Sequence, residues 1–335
     1  MNSATEQGRG RVSIGIVTYN SERYIEACID SVLAQTWPDV ELVVLDNTSS
    51  DDTVTIVSEK YPDIPLIRSE ENSGFARGHN RIIARTGGSY YLPLNPDLVL
   101  DPHYVERMVE AIESAKDVGW ASGRLYFMTR EFEKTNRLYT TGHLIFRNGL
   151  FGNRGYNTED DGTYAAPEEV FGANGAAPLY SMAMLEDIAE ACDGQYLDES
   201  FFLPGSDTEL DWRARLLGWR CRYAPEAKGY HVEHGSIRMT DPVLQREWIR
   251  RRYMLTLKCG FVPDVLFYYL PMLLSDIVLA AIKGRTTTLR AIAELPGHLP
   301  TVLSKRRQLV RKRRVSRDSI NRWMQPAKMN MIYEF

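Results

Sequence analysis

Cysteine is scarce in this chain, with four in 335 residues, at Cys28, Cys192, Cys221 and Cys259. No two have CxxC spacing, which argues against a zinc site, and their scatter suits core packing in a reducing compartment. No GxGxxG is present; the turn Glu71-Asn72-Ser73-Gly74-Phe75-Ala76 does not supply one. That excludes the usual dinucleotide fingerprint of a dehydrogenase. The segment Met1 to Arg11 is polar, so no secretory leader is expected and the body should be cytosolic. An unbroken apolar run of the ~20 residues that a membrane-spanning helix wants is also missing. Phe261 to Ile282 comes nearest, but Pro263, Asp264, Pro271, Ser275 and Asp276 interrupt it. A pair of interfacial helices is the expectation there, rather than a span.

What the chain does have is an ordinary globular composition, 44% hydrophobic and 25% charged, which argues against wholesale disorder. The net charge of −4 hides an asymmetry. From Lys283 onward 13 Lys and Arg face 3 Asp and Glu, a net of +10, which leaves −14 on the first 282 residues. A basic tail that follows an apolar segment, with Leu303, Leu309 and Val310 between Lys305-Arg306-Arg307 and Arg311-Lys312-Arg313-Arg314, reads as a membrane-surface anchor. A solvated helix face or a nucleic-acid-binding arm would share that composition; the apolar neighbour favours an anionic membrane surface, with no nucleic acid.

The first 100 residues alternate apolar runs with helical spacing. Val12–Val17, Val40–Leu45, Pro65–Arg68 and Ser89–Leu94 read as strands, and 21–35, 51–61 and 76–84 as helices, the first capped by Ser21. Strands alternating with helices predict a mostly parallel sheet with helices on both faces. Beyond Trp120 the pattern loosens, and 142–162, rich in Gly, Asn and Asp, reads as a long loop and a candidate lid. A helix is expected over 207–217, after which Cys221–Ala224 reads as strand.

Polar residues stand at the end of each apolar run, where open α/β sheets build ligand crevices. Thr18-Tyr19-Asn20 fills the first strand-to-helix turn, where backbone N–H groups can meet an anionic ligand. Asp46 ends the second run, placed to bond a ribose or base edge, although an ordinary turn follows at Asn47. Asn95-Pro96-Asp97 ends the fourth, and Asp97 there suits a Mg²⁺ or Mn²⁺ beside a diphosphate. Asp207, Glu209 and Asp211 open a helix; Asp207 and Asp211 share a face, and one carboxylate could serve as general base, while first-turn acids also complement the helix dipole. His231, in His231-Val232-Glu233-His234-Gly235-Ser236, offers an imidazole as a further metal ligand.

In order, Val17–Asn20, Val44–Asn47, Glu71–Ala76, Leu94–Asp97, Phe171–Ala176, Asp207–Trp219 and His231–Ser236 resemble the family 2 glycosyltransferases of GT-A fold, and in particular the rhamnosyltransferase-like branch. The resemblance covers about residues 11 to 240, leaving 241–335 as a helical, basic, membrane-associating extension. It implies inverting transfer from a nucleotide-diphosphate sugar, with L-rhamnose from dTDP-rhamnose the leading donor and a UDP-sugar the next. The acceptor would be a glycan or polyprenyl-linked glycan in cell-surface polysaccharide synthesis, at the cytoplasmic face of the membrane. Thr18, Tyr19, Asn20, Asp46, Asn72, Arg77 and Asn95 would face the nucleotide, and Asp97 and His231 would hold Mg²⁺ or Mn²⁺. Asp207 matches the family's general base. Ser206 and Glu209 stand where the pattern carries Glu and Asp, so Glu209 competes with Asp207 for the role. A sugar nucleotidyltransferase and a non-catalytic glycan- or membrane-binding protein are the alternatives, and a homo-oligomer is compatible with all three.

Overall fold

A computed structural model describes residues 10–201, 205–232 and 242–326. The chain opens as β1 (Val12–Thr18), α1 (Ile25–Leu33), β2 (Val40–Asp46), α2 (Thr53–Lys60), β3 (Leu66–Arg68), α3 (Gly74–Ile83) and β4 (Tyr90–Leu94). It continues as β5 (Leu98–Leu100), α4 (Tyr104–Glu113), β6 (Val118–Met128), β7 (Lys134–Thr140), β8 (His143–Phe146) and β9 (Phe151–Asn153). Next come β10 (Glu168–Val170), β11 (Leu179–Ser181), α5 (Met182–Ala191), α6 (Ser206–Leu216) and β12 (Arg220–His231). The last part is helical: α7 (Pro242–Cys259), α8 (Val262–Ile282), α9 (Thr286–Lys312) and α10 (Arg317–Asn321), before a two-residue β13 (Met324–Gln325).

The main sheet runs β10-β12-β6-β11-β4-β1-β2-β3. Its first-formed part, β4-β1-β2-β3, is wholly parallel, as the alternating pattern predicts. The rest is mixed, because β11 enters antiparallel between β4 and β6 and only β12 lies parallel to β6. With three residues, β11 is too short to show a period, so the sequence could not announce it. Val12, Ile14 and Ile16 of β1 meet Ile25, Cys28, Ile29 and Val32 of α1 and Val105, Met108 and Val109 of α4 on one face. Tyr91, Trp120, Met184, Leu210 and Tyr253 fill the other face, under α5, α6 and α7. Each fully buried Ile or Val contributes roughly 1.5–3 kcal/mol relative to exposure, so both faces are strongly specified.

Three expectations give way. Helix α1 begins at Ile25, since the Ser21 carbonyl accepts from Tyr24 and Ile25 in a preceding turn and the Ser21 hydroxyl caps nothing. The stretch 142–162 is no open loop: β8 and β9 pair as a hairpin, β13 joins β8, and Asp160 is bound by Arg124 and Tyr126. Gly149, Gly155, Asn157 and Gly162 take positive φ in its turns. Nor does the apolar segment split into two helices. Val262–Ile282 is helical throughout, with Pro263 in the first turn and a π-helical turn at Val265–Tyr269 just before Pro271. That wider turn absorbs the N–H that Pro271 lacks.

The C-terminal helices are stitched to the body. Lys305 pairs with Asp198, Lys312 with Glu190, Arg314 with Asp187, Arg317 with Asp264 and Arg322 with Glu169. Five of the tail's 13 basic residues thus meet acids of this same chain.

Candidate active site

The sheet register gathers the ends of the parallel strands. Thr18 lies opposite Asp46, and Ile16 opposite Leu94, so the turns after β1, β2 and β4 share one edge. Thr18 is fully buried and its hydroxyl has no protein partner. Tyr19 is exposed on the same rim. Asn20 adopts the left-handed region at φ 49°. Its side-chain oxygen accepts from Ser50 N at 2.8 Å, and its own N–H donates to Ser49 Oγ at 2.9 Å, which holds that conformation. Both oxygens of buried Asp46 accept from Ser49 N, at 3.3 and 3.2 Å. Asn47, which the sequence assigns to an ordinary turn, is buried and ties the second turn to the third: its Nδ2 donates to Gly74 O and its Oδ1 accepts from Ser73. Asn72 accepts from Gly74 N at 3.1 Å, and Gly74 takes φ +76°, a conformation glycine adopts freely. Arg77 is half exposed and pairs with Glu71 and Glu199.

Asn95 donates its backbone N–H to Ala176 O at 2.9 Å, joining the Asn-Pro-Asp turn to the Gly-Ala-Asn-Gly loop. Asp97 follows, nearly buried, and β5 pairs antiparallel with β12 so that Leu98 faces His231. His231 Nε2 lies 3.1 Å from Asp97 Oδ1, and its Nδ1 has no protein partner. The two groups share a hydrogen bond here, and a carboxylate beside an imidazole is a donor set that a Mg²⁺ or Mn²⁺ would accept. Among the described residues no group of three or more His, Cys, Asp and Glu gathers at a metal-binding distance. Glu233, His234, Gly235 and Ser236 lie outside the described residues.

Asp207 stands in the first turn of α6, behind Gly205 at φ +93°. Its Oδ2 accepts from Gly175 N at 2.8 Å and its Oδ1 from Thr208 N at 2.8 Å. The side chain keeps 17% of its surface exposed. Through Gly175, Ala176 and Asn95, the loop that holds Asp207 is the loop that holds the Asp97 turn. Glu209 is placed otherwise. It is fully buried and bound to Arg213 and to Lys258 of α7, with Asp198 on the same lysine. An acid closed in by two cations cannot reach an acceptor hydroxyl, so Glu209 joins α6 to α7 and leaves Asp207 as the acid open to the crevice.

Two further residues escaped the sequence reading in their pairing. His143 and Asp211 are both buried, and His143 Nδ1 lies 2.7 Å from Asp211 Oδ2. The His143 Nε2 faces Asp207 Oδ2 at 3.6 Å. Asp211 approaches the main chain so closely that a Cβ on Gly172 would fall 1.9 Å from its Oδ2. Glycine at 172 was the available signal.

Residues 13–177 match glycosyl transferase family 2. The matched stretch, just under half of the chain, carries every strand-end turn of the crevice up to the Gly175 loop. The chain is 33% identical over 159 residues to the chondroitin synthase of Escherichia coli, covering 47% of this chain and 21% of that one. Matches to the first curated relatives span only 14 to 35% of their lengths. Among solved structures, GalNAc-T7 with UDP, GalNAc and Mn²⁺ superposes with a TM-score of 0.61 at 11% identity, over 76% of this chain and 48% of that one. Staphylococcus aureus TarS 1–349 gives 0.53 at 16% identity, over 93% and 91%. The fold is GT-A-like, an α/β architecture with a mixed central sheet flanked by helices and a C-terminal helical region.

Proposed function

We propose that this family 2 glycosyltransferase transfers a sugar, with inversion, from a nucleotide-diphosphate donor to a glycan or lipid-linked glycan in cell-surface polysaccharide synthesis. The observation that carries the reading is the junction of Asp207, through Gly175 and Ala176, to the Asn95–Asp97 turn. It sets one partly exposed carboxylate beside an Asp–His pair at the strand-end crevice. Thr18, Tyr19, Asn20, Asp46, Asn72, Arg77 and Asn95 would take the nucleotide. Asp97 and His231 would hold Mg²⁺ or Mn²⁺, which when bound neutralises charge on the departing diphosphate. Asp207 accepts the acceptor hydroxyl proton as the new bond to the anomeric carbon forms. The bond to the diphosphate oxygen breaks on the opposite face, and its electron pair leaves with the nucleotide.

The donor assigned first is dTDP-rhamnose, supported by the order and wording of the motifs, with UDP-sugars next. A panel of dTDP-, UDP- and GDP-sugars, each with and without Mn²⁺, tests it by melting temperature and by transfer. Ligands that bind the native state raise the melting temperature by mass action. A metal-dependent shift and turnover with dTDP-rhamnose is the expected result; turnover confined to another sugar nucleotide overturns the rhamnose assignment, and no binding of any moves the weight to a non-catalytic protein.

We place the protein peripherally at the cytoplasmic face of the membrane, and a second observation supports attachment to a membrane surface. Val262, Leu266, Leu270, Leu274, Val278 and Ile282 of α8 recur every fourth residue and, with Phe267, are 41 to 75% exposed. By length and composition α8 could cross a membrane. Its acids, however, point into the protein: Asp264 bonds Arg317, and Asp276 bonds Arg252 and Tyr253. Those bonds favour a helix lying in the lipid surface, with Lys283, Arg285 and Arg290 beyond its end. Leu270→Asp with Leu274→Asp should abolish co-sedimentation with phosphatidylglycerol vesicles; unchanged co-sedimentation counts against this attachment.

A further inference from the structure

We infer that His143, oriented by Asp211, is a positioning residue for the base, fixing the Asp207 carboxylate and setting positive charge beside it. The inference rests on Asp207 acting as base. Asp207 and Asp211 stand one helical turn apart on α6, and two carboxylates so placed repel unless a cation lies between them. His143, on β8, fills that place: its ring faces Asp211 Oδ2 at 2.7 Å through Nδ1 and Asp207 Oδ2 at 3.6 Å through Nε2. The second oxygen of Asp211 accepts from Ala173 N at 3.3 Å, so Asp211 cannot turn away from the imidazole. Asp207 is fixed in the same manner by Gly175 N and Thr208 N. Three side chains are thus held in line, with only Asp207 reaching the crevice.

The charges around the line agree. Burial alone would push the His143 imidazole down, but the Asp211 hydrogen bond and the charges of Asp207 and Asp211 outweigh it and raise it above the usual 6.5. Burial pushes the Asp211 carboxyl up to about 6, with its bond to His143 opposing the rise. Tyr180 and Cys221 face the acids as neutral groups, their hydroxyl and thiol raised by burial. The Arg215 guanidinium approaches Asp211 but is bound to Glu169, and Arg251 of α7 acts on Asp207 from the other side.

The test compares kcat and KM against pH for the full chain and for His143→Gln, Asp211→Asn and Asp207→Asn, using the sugar nucleotide that turns over best. His143→Gln should lower kcat by about 10- to 100-fold, with donor KM within about twofold. It should also remove the alkaline limb of the kcat profile, because the imidazole that loses its proton there is gone. Asp211→Asn, which keeps the shape and one acceptor, should move that limb to lower pH because the imidazole loses its counter-charge, and it preserves the test if His143→Gln fails to fold. Profiles that superpose on wild type after scaling for folded protein overturn the inference and leave His143 a packing residue. Asp207→Asn separates the two readings: full activity removes the base assignment itself, whereas an inactive variant beside an unshifted His143→Gln profile removes only the role of His143.

Discussion

Asp97 and His231 are 134 residues apart in sequence, and their side chains meet at 3.1 Å. The antiparallel pairing of β5 with β12 makes the contact: Leu98 faces His231, and Val232 N donates to Asp97 O at 3.0 Å. The strand that delivers the imidazole is anchored to the same backbone as the carboxylate.

Asp97→Asn or His231→Gln should therefore weaken Mn²⁺-dependent nucleotide binding by about tenfold or more, since each removes one of the two proposed protein ligands. Titration calorimetry with UDP or dTDP, in Mn²⁺ and in EDTA, is the check. Metal-free binding should stay close to wild type; equal losses with and without metal would mean the pair is purely structural.

Asp207 and Glu209 sit two residues apart and should respond oppositely. Asp207→Asn should cut transfer by about 10²–10⁴-fold while lowering the melting temperature far less than Glu209→Gln does. Glu209→Gln leaves Arg213 and Lys258 short of a buried counter-charge and should cost about 3–5 kcal/mol of stability. Denaturant midpoints and specific activity, measured together, distinguish a catalytic loss from a folding loss.

Acid should loosen the join between the C-terminal helices and the body. Burial opposes ionisation of Asp198, but Lys258, Lys305 and Arg213 outweigh it and hold the carboxyl well below the usual range. A depressed carboxylate stabilises the fold above its unfolded pKa, and that stability is lost as pH falls below about 4. Urea unfolding between pH 7 and 3 should show a steeper decline for wild type than for Asp198→Asn, whose stability should already be low at pH 7. Parallel curves would show that Asp198 contributes nothing to the pH dependence.

How much of this was legible in the sequence depended on distance along the chain. The parallel half, β1 to β4, was readable because each strand is a short apolar run followed by helical spacing, and each run ends in a polar turn that the fold brings to one edge. Beyond β4 the sheet depends on strands of three or four residues whose partners lie far away, and no local period encodes them. His143 stood inside a stretch read as loop, and nothing near it points to Asp211, 68 residues on. Asp207 and Glu209 looked alike as first-turn acids; only packing against α7 shows that one is sealed and the other open. The tail read as unpartnered charge because charge counts cannot say which acids lie within reach. The alternation of proline and aspartate in 261–282 looked like interruption, whereas the helix accommodates both prolines and turns both acids inward.

Met324 and Gln325 pair with Ile145 and Phe146, completing the small sheet that carries His143. During synthesis that sheet stays one strand short until residue 325 has cleared the ribosome. The parallel strands can pair early on the emerging chain, whereas the sheet that carries His143 is completed only after the apolar helix has been made.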